Sequence, residues 1–125
     1  MKTSMAGTTL TGSAPVIPVS DFQVGLAYYR DVLGFGVEFM WGEPAFYACL
    51  CRDDVAIHIA AEQVAKRAPG QTGMCIFVRD VDAAFAELSG RGALVVAPPQ
   101  TYDYGMREFS VTDPDGNRLI YGAVA

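Results

Sequence analysis

One imidazole, three thiols and a set of aromatic rings are the chemistry-bearing groups of this chain. His58 is its sole histidine. An imidazole can donate, accept or take up a proton near neutral pH. His58 is therefore a candidate pocket donor or acceptor and the one weak candidate for a catalytic base. The alternative is a packed histidine satisfied by a backbone carbonyl. Cys49 and Cys51 are spaced to share one face of a strand, and Cys75 sits in a separate apolar run. Three thiols cannot all pair, and the spacings are not those of a zinc site, so they read as buried, reduced cysteines of a cytoplasmic protein. The aromatic residues fall in clusters: Phe39 with Trp41, Phe46 with Tyr47, and Tyr102 with Tyr104 around Asp103. Aromatic faces stack on planar rings and attract cations. Phe46 and Phe109 read as core, and Phe39 as either core or lining. Trp41, Tyr47, Tyr102 and Tyr104 are candidates to line a binding pocket. Arg107 is a further candidate. It alternates with Glu108, so the two face opposite sides of a strand, and spacing does not say which faces inward.

The elements that must hold these groups are legible. Residues 15–19 form a short strand whose Pro15 and Pro18 cannot donate to a ladder, which predicts an edge or crossing position. Ser20 with Gln23 has the form of a capping box. Phe22, Leu26, Tyr29 and Leu33 then follow at helical spacing, with Gly34 as the stop. Gly25 inside that helix implies close packing. Strands are predicted over residues 36–41, 45–51 and 55–60, and a polar linker over 62–71. A strand over 73–78 leads to a helix that starts at Asp80 and carries Val81, Ala84, Phe85 and Leu88. A strand over 93–97, a Pro98-Pro99-Gln100-Thr101 loop and a hairpin complete the chain. The hairpin turn is Asp113-Pro114-Asp115-Gly116-Asn117, a dense turn signal.

The two halves repeat. Val19, Asp21, Phe22, Leu26 and Tyr29 recur in character as Val78, Asp80, Val81, Phe85 and Leu88. Asp53 and the strand after it recur as Asp115 and residues 117–121. The fold class is thus α+β: two tandem βαβββ modules forming a curved, mostly antiparallel eight-stranded sheet with helices outside. Residues 1–13 read as a flexible leader and 14–125 as one domain, with modules at about 14–61 and 72–123. The concave inner face is the default ligand site. A net charge of −5 over 125 residues argues against a nucleic-acid partner. No apolar run reaches the roughly 20 residues of a membrane span.

At this level of detail the chain resembles the vicinal oxygen chelate superfamily of glyoxalases, extradiol dioxygenases and bleomycin-type resistance proteins. The matching pieces are Tyr29-Arg30-Asp31-Val32-Leu33-Gly34-Phe35, Val78-Arg79-Asp80-Val81-Asp82, Tyr104-Gly105-Met106-Arg107-Glu108-Phe109 and the Asp113–Asn117 turn. The resemblance implies a divalent metal held by four side chains that polarises vicinal oxygens. Its motifs place those positions at Ala14, His58, Gly73 and Ile120. Three of these carry no donor atom, so the expectation is no metal and no cofactor. The resemblance is nearest to the metal-free bleomycin-resistance branch. That branch implies a small-molecule ligand held between aromatic and acidic groups in a groove between subunits. It also implies a homodimer with an exchanged N-terminal strand. The competing expectation is a glyoxalase- or dioxygenase-like enzyme: a metal-dependent lyase, isomerase or oxygenase.

Overall fold

Asp21 and Asp80 each interrupt the chain with an extended backbone and turn it into a helix. Asp21 Oδ1 accepts from Val24 N (3.1 Å), and Asp80 Oδ1 accepts from Ala83 N (3.0 Å). In the computed structural model, which describes residues 7–125, each capped helix is embedded in the same order of elements. The first module contains β1 (Val16–Val19), α1 (Phe22–Ala27) continued by a π turn (Tyr28–Val32), β2 (Gly36–Gly42), β3 (Ala45–Arg52) and β4 (Val55–Ala61). A single helical turn, α2 (Glu62–Ala65), lies in the connecting segment. The second module contains β5 (Gly73–Phe77), α3 (Val81–Gly90), β6 (Leu94–Thr101), β7 (Met106–Thr112) and β8 (Arg118–Val124).

The eight strands divide into two four-stranded sheets, ordered β1-β4-β3-β2 and β5-β8-β7-β6. In each, the first strand runs parallel to the fourth and the remaining pairs are antiparallel. The register repeats as well: Val16 lies opposite His58, and their counterparts Cys75 and Ile120 lie opposite one another. The α+β class, the tandem modules and the edge position of β1 agree with the sequence reading.

Three local expectations change. Ser20 is not the helix cap, because its hydroxyl donates to Asp115 Oδ1 (2.5 Å) across the molecule, and Asp21 caps in its place. The Pro98-Pro99 segment is not a loop. It belongs to β6, where an edge strand with a register break between Ala97 and Gln100 tolerates residues without an N–H. The predicted linker holds one helical turn. Of the segment read as a leader, residues 1–6 lie outside the described residues, and residues 7–13 are exposed.

One apolar core joins the modules, drawing on Ile17, Leu26, Leu50, Ile57 and Ile59 from the first and Ile76, Leu88, Phe109, Val111 and Leu119 from the second. Gly25 sits where an added Cβ would stand 3.1 Å from Val19, so α1 lies close on β1. The π turn aims two successive tyrosines inward. Tyr28 donates to Thr112 O (2.6 Å) and accepts from Leu94 N (3.0 Å), and Tyr29 donates to Asp113 Oδ2 (2.9 Å). Burial, with the Asp113 carboxylate added, raises the Tyr29 phenol well above its ordinary range and keeps it a donor. Asn117 completes this junction. Its Oδ1 accepts from Gly70 N and Thr72 N, and its Nδ2 donates to Pro18 O and Asp113 Oδ2. Among the described residues no helix is long and apolar enough to cross a membrane.

Asn117 therefore ties the final hairpin to β1 and to the connecting segment at once. Replacing it with Ala leaves several buried partners unmet and is expected to cost at least about 3 kcal/mol in urea denaturation. A loss below about 1 kcal/mol would show that the junction does not depend on it.

Candidate functional site

Each sheet has a core face and an opposite face, and strand alternation assigns the side chains. In the first sheet Ala48, Leu50, Ile57 and Ile59 are buried in the core. Tyr47, Cys49, Cys51 and His58 therefore turn the other way. Register carries Phe39 and Trp41 to the same face, because Phe39 pairs with Cys49 and Trp41 with Tyr47. The Phe39 and Trp41 rings stack with centroids 6.3 Å apart and planes inclined by 29°. They are 51% and 61% exposed. Behind them the Tyr47 hydroxyl lies 2.8 Å from His58 Nδ1. Burial raises the Tyr47 phenol and keeps it protonated. His58 is thus satisfied by a side chain rather than by a backbone carbonyl, and one ring nitrogen remains without a partner among the described residues.

The second sheet has a matching face. Phe109, Val111, Leu119 and Tyr121 are buried in the core. Glu108, Ser110 and Ile120 turn away from it, together with Cys75 and Phe77 on β5. Just before β7, Tyr102 and Tyr104 stack with centroids 5.3 Å apart and planes inclined by 7°. The Tyr104 hydroxyl donates to Glu108 Oε1 (2.7 Å). Loss of that donated bond and the adjacent carboxylate push the phenol up to about 12.

Arg107 lies elsewhere. It shares the face of Phe109, so it points to the helix side, where Nε and Nη2 hold the two oxygens of Asp82 at 3.0 and 2.8 Å. Glu108, not Arg107, is the charged residue beside the tyrosines. The signal was available: Phe109 reads as core, and Arg107 stands two residues before it. The thiols also sit differently from the buried positions expected of them. Cys49 and Cys51 are half-buried on the aromatic face, Cys75 is exposed, and all three are free.

The four positions at which the resemblance implies metal ligands carry Ala14, His58, Gly73 and Ile120. His58 and Ile120 lie on the faces just described, Gly73 pairs with Arg118, and only His58 offers a donor atom. Among the described residues no group of three or more His, Cys, Asp or Glu side chains is arranged to hold a metal ion. The donor set does not fit a centre of that kind.

A family model described as Glyoxalase/Bleomycin resistance protein/Dioxygenase superfamily matches residues 12–121. Among solved structures, the fold is similar to that of a bleomycin-binding protein from bleomycin-producing Streptomyces verticillus, complexed with copper(II)-bleomycin. Identity is 27%, 94% of this chain and 99% of that chain are covered, and the TM-score is 0.75. A glyoxalase/bleomycin resistance protein from Catenulispora acidiphila is similar at 28% identity, with 90% and 97% covered and a TM-score of 0.73. TnmS3, an antibiotic binding protein from Streptomyces sp. CB03234, shares the fold at 24% identity, with 98% and 100% covered and a TM-score of 0.78. No match was found among curated proteins.

The Tyr104–Glu108 contact has a spectroscopic consequence. In an ultraviolet pH titration, Tyr104 is expected to ionise near 12, and Glu108→Gln is expected to return it towards the ordinary tyrosine value of 10.0. An unchanged titration in Glu108→Gln would show that the carboxylate does not set the tyrosine.

Proposed function

This chain belongs to the Glyoxalase/Bleomycin resistance protein/Dioxygenase superfamily. From that membership we propose that it is a metal-free protein that sequesters a small planar or cationic, antibiotic-like molecule in an aromatic groove at a dimer interface. The observation that carries this reading is the pair of stacked aromatic couples, one on each module: Phe39 with Trp41, both exposed, and half-buried Tyr102 with exposed Tyr104. A planar ligand can extend either stack, and Glu108 beside Tyr104 supplies the negative charge that a cationic ligand would meet. The bleomycin-binding structural neighbour supports a ligand of this type. Metal-assisted chemistry would need donors that Ala14, Gly73 and Ile120 do not provide. Binding by stacking and charge needs none.

The dimer follows from what each module leaves uncovered. Phe39 and Trp41 on β2, Leu94 on β6 and Phe77 on β5 are exposed apolar side chains. A second copy laid over them would bury this surface and bring the aromatic face of one module against that of another. Exchange of the first strand, favoured by the stiff Pro15 and Pro18, would keep the β1–β4 pairing and move it across the interface. Three free thiols suit a reducing cytoplasm.

Calorimetric titration with metal-free bleomycin and copper(II)-bleomycin tests the reading. Saturable binding is expected, weakened roughly threefold to tenfold by Trp41→Ala or by Tyr104→Ala. No heat and no thermal shift with either probe, or with other planar cations, would sink it. Stoichiometric metal in the purified protein would move the reading to an enzyme. Sedimentation showing a monomer at micromolar concentration would remove the interface from it.

A further inference from the structure

The two module seams are related by the repeat, yet only one is closed. In the first, the Asp113–Asn117 turn meets β1 and α1 through side-chain bonds. Asp115 accepts from Ser20, Asp113 accepts from Tyr29, and Asn117 donates to Pro18 O. In the second, the β3–β4 turn meets the end of β5 and α3. There the counterparts of Ser20, Tyr29, Asp115 and Asn117 are Arg79, Leu88, Asp53 and Val55. Neither Arg79 nor Asp53 makes a side-chain hydrogen bond or ion pair among the described residues. Arg52, just before the turn, pairs with Glu87 of α3 at 2.8 Å, but the rest of this junction is open, a cleft of about 780 Å³. That volume lies within the range of small-molecule sites.

We infer that this open seam is a second binding site, separate from the aromatic groove, for a small uncharged aromatic molecule bearing a hydrogen-bonding oxygen. The cleft is lined by Phe35, Ile76 and Leu88, all core residues, which suits an apolar ring. Tyr121 also lines it. That residue is only 6% exposed, and its hydroxyl has no hydrogen-bond partner among the described residues. A buried hydroxyl left unpaired is costly, and a ligand oxygen placed there removes the cost. Burial raises the Tyr121 phenol well above its ordinary range, against a smaller opposing effect of Arg52, so it meets a ligand as a neutral hydroxyl. The lining charges cancel: Arg52 and Arg79 stand against Asp53 and Asp54. Arg52 is shared with Glu87, but Glu87 also pairs with Arg91, so the charges around the cleft still sum to zero. A full charge on the ligand would find no net counter-charge, so an uncharged group such as a carboxamide matches the site best.

Benzamide is a suitable probe, with benzoate and benzylamine as charged counterparts, read by backbone amide shifts in NMR. Benzamide is expected to bind saturably and to move the amides of Ile76 and Leu88, with both charged probes weaker. Ala84→Phe, which fills the cleft from α3, should abolish those shifts. Tyr121→Phe should weaken benzamide about threefold to tenfold while leaving the melting temperature unchanged or raised. No saturable shift at Ile76 and Leu88 would overturn the inference. So would shifts indifferent to both variants, or tighter binding of a charged probe. A lower melting temperature in Tyr121→Phe would show that the hydroxyl has an internal partner, and would overturn it equally.

Discussion

The buried contact between Asp113 and Asn117 is the constraint on which the rest of the molecule depends. Asp113 Oδ1 accepts from Asp115 N and Asn117 N, which sets the turn of the last hairpin. Its second oxygen accepts from Tyr29 and from Asn117 Nδ2. Through that oxygen and the Asn117 amide, a local turn is joined to the first helix, the first strand and the connecting segment. Both residues are almost fully buried. Polar groups in that setting are stabilising only when each finds its partners, and breaking one strands several others.

The junction also fixes register, and register decides function. A one-residue slip in β8 would turn Leu119 and Tyr121 outward and Ile120 into the core. With the register held, Ile120 occupies the last-strand position at which the superfamily resemblance implies a metal ligand. The same alternation sends Phe109 to the core, Arg107 to α3 and Glu108 to the face with the tyrosines. The aromatic face of the first sheet is a consequence of core packing: Ala48, Leu50, Ile57 and Ile59 in the core turn Tyr47 and His58 the other way, and pairing with β3 adds Phe39 and Trp41.

The two repeated modules leave two seams with different contacts. In one, turn residues rich in side-chain acceptors were matched by Ser20 and Tyr29, and the gap closed. In the other, Leu88 stands where Tyr29 would be and Val55 where Asn117 would be. Neither side chain can hydrogen-bond across a gap, so the cleft is left to core walls, a buried phenol and a rim of balanced charges.

The sequence by itself determined the repeat, the order of elements, the helix start at Asp80 and the dense turn before the last strand. Those signals are local: spacing, caps and turn residues act within a few positions of themselves. It also determined that Ala14, Gly73 and Ile120 have no metal-donor atom, since side-chain chemistry needs no coordinates. Several features were settled only by tertiary structure. The Ser20 hydroxyl is taken by Asp115, 95 residues away, which leaves the cap to Asp21. Pro98 and Pro99 stay within a strand because β6 lies at a sheet edge. Glu108 rather than Arg107 stands beside Tyr104, and Tyr47 rather than a backbone carbonyl satisfies His58. Each of these outcomes depends on which distant partner a polar group or strand meets once the modules dock. That choice is made by the shared core and has no signature within a short window of sequence.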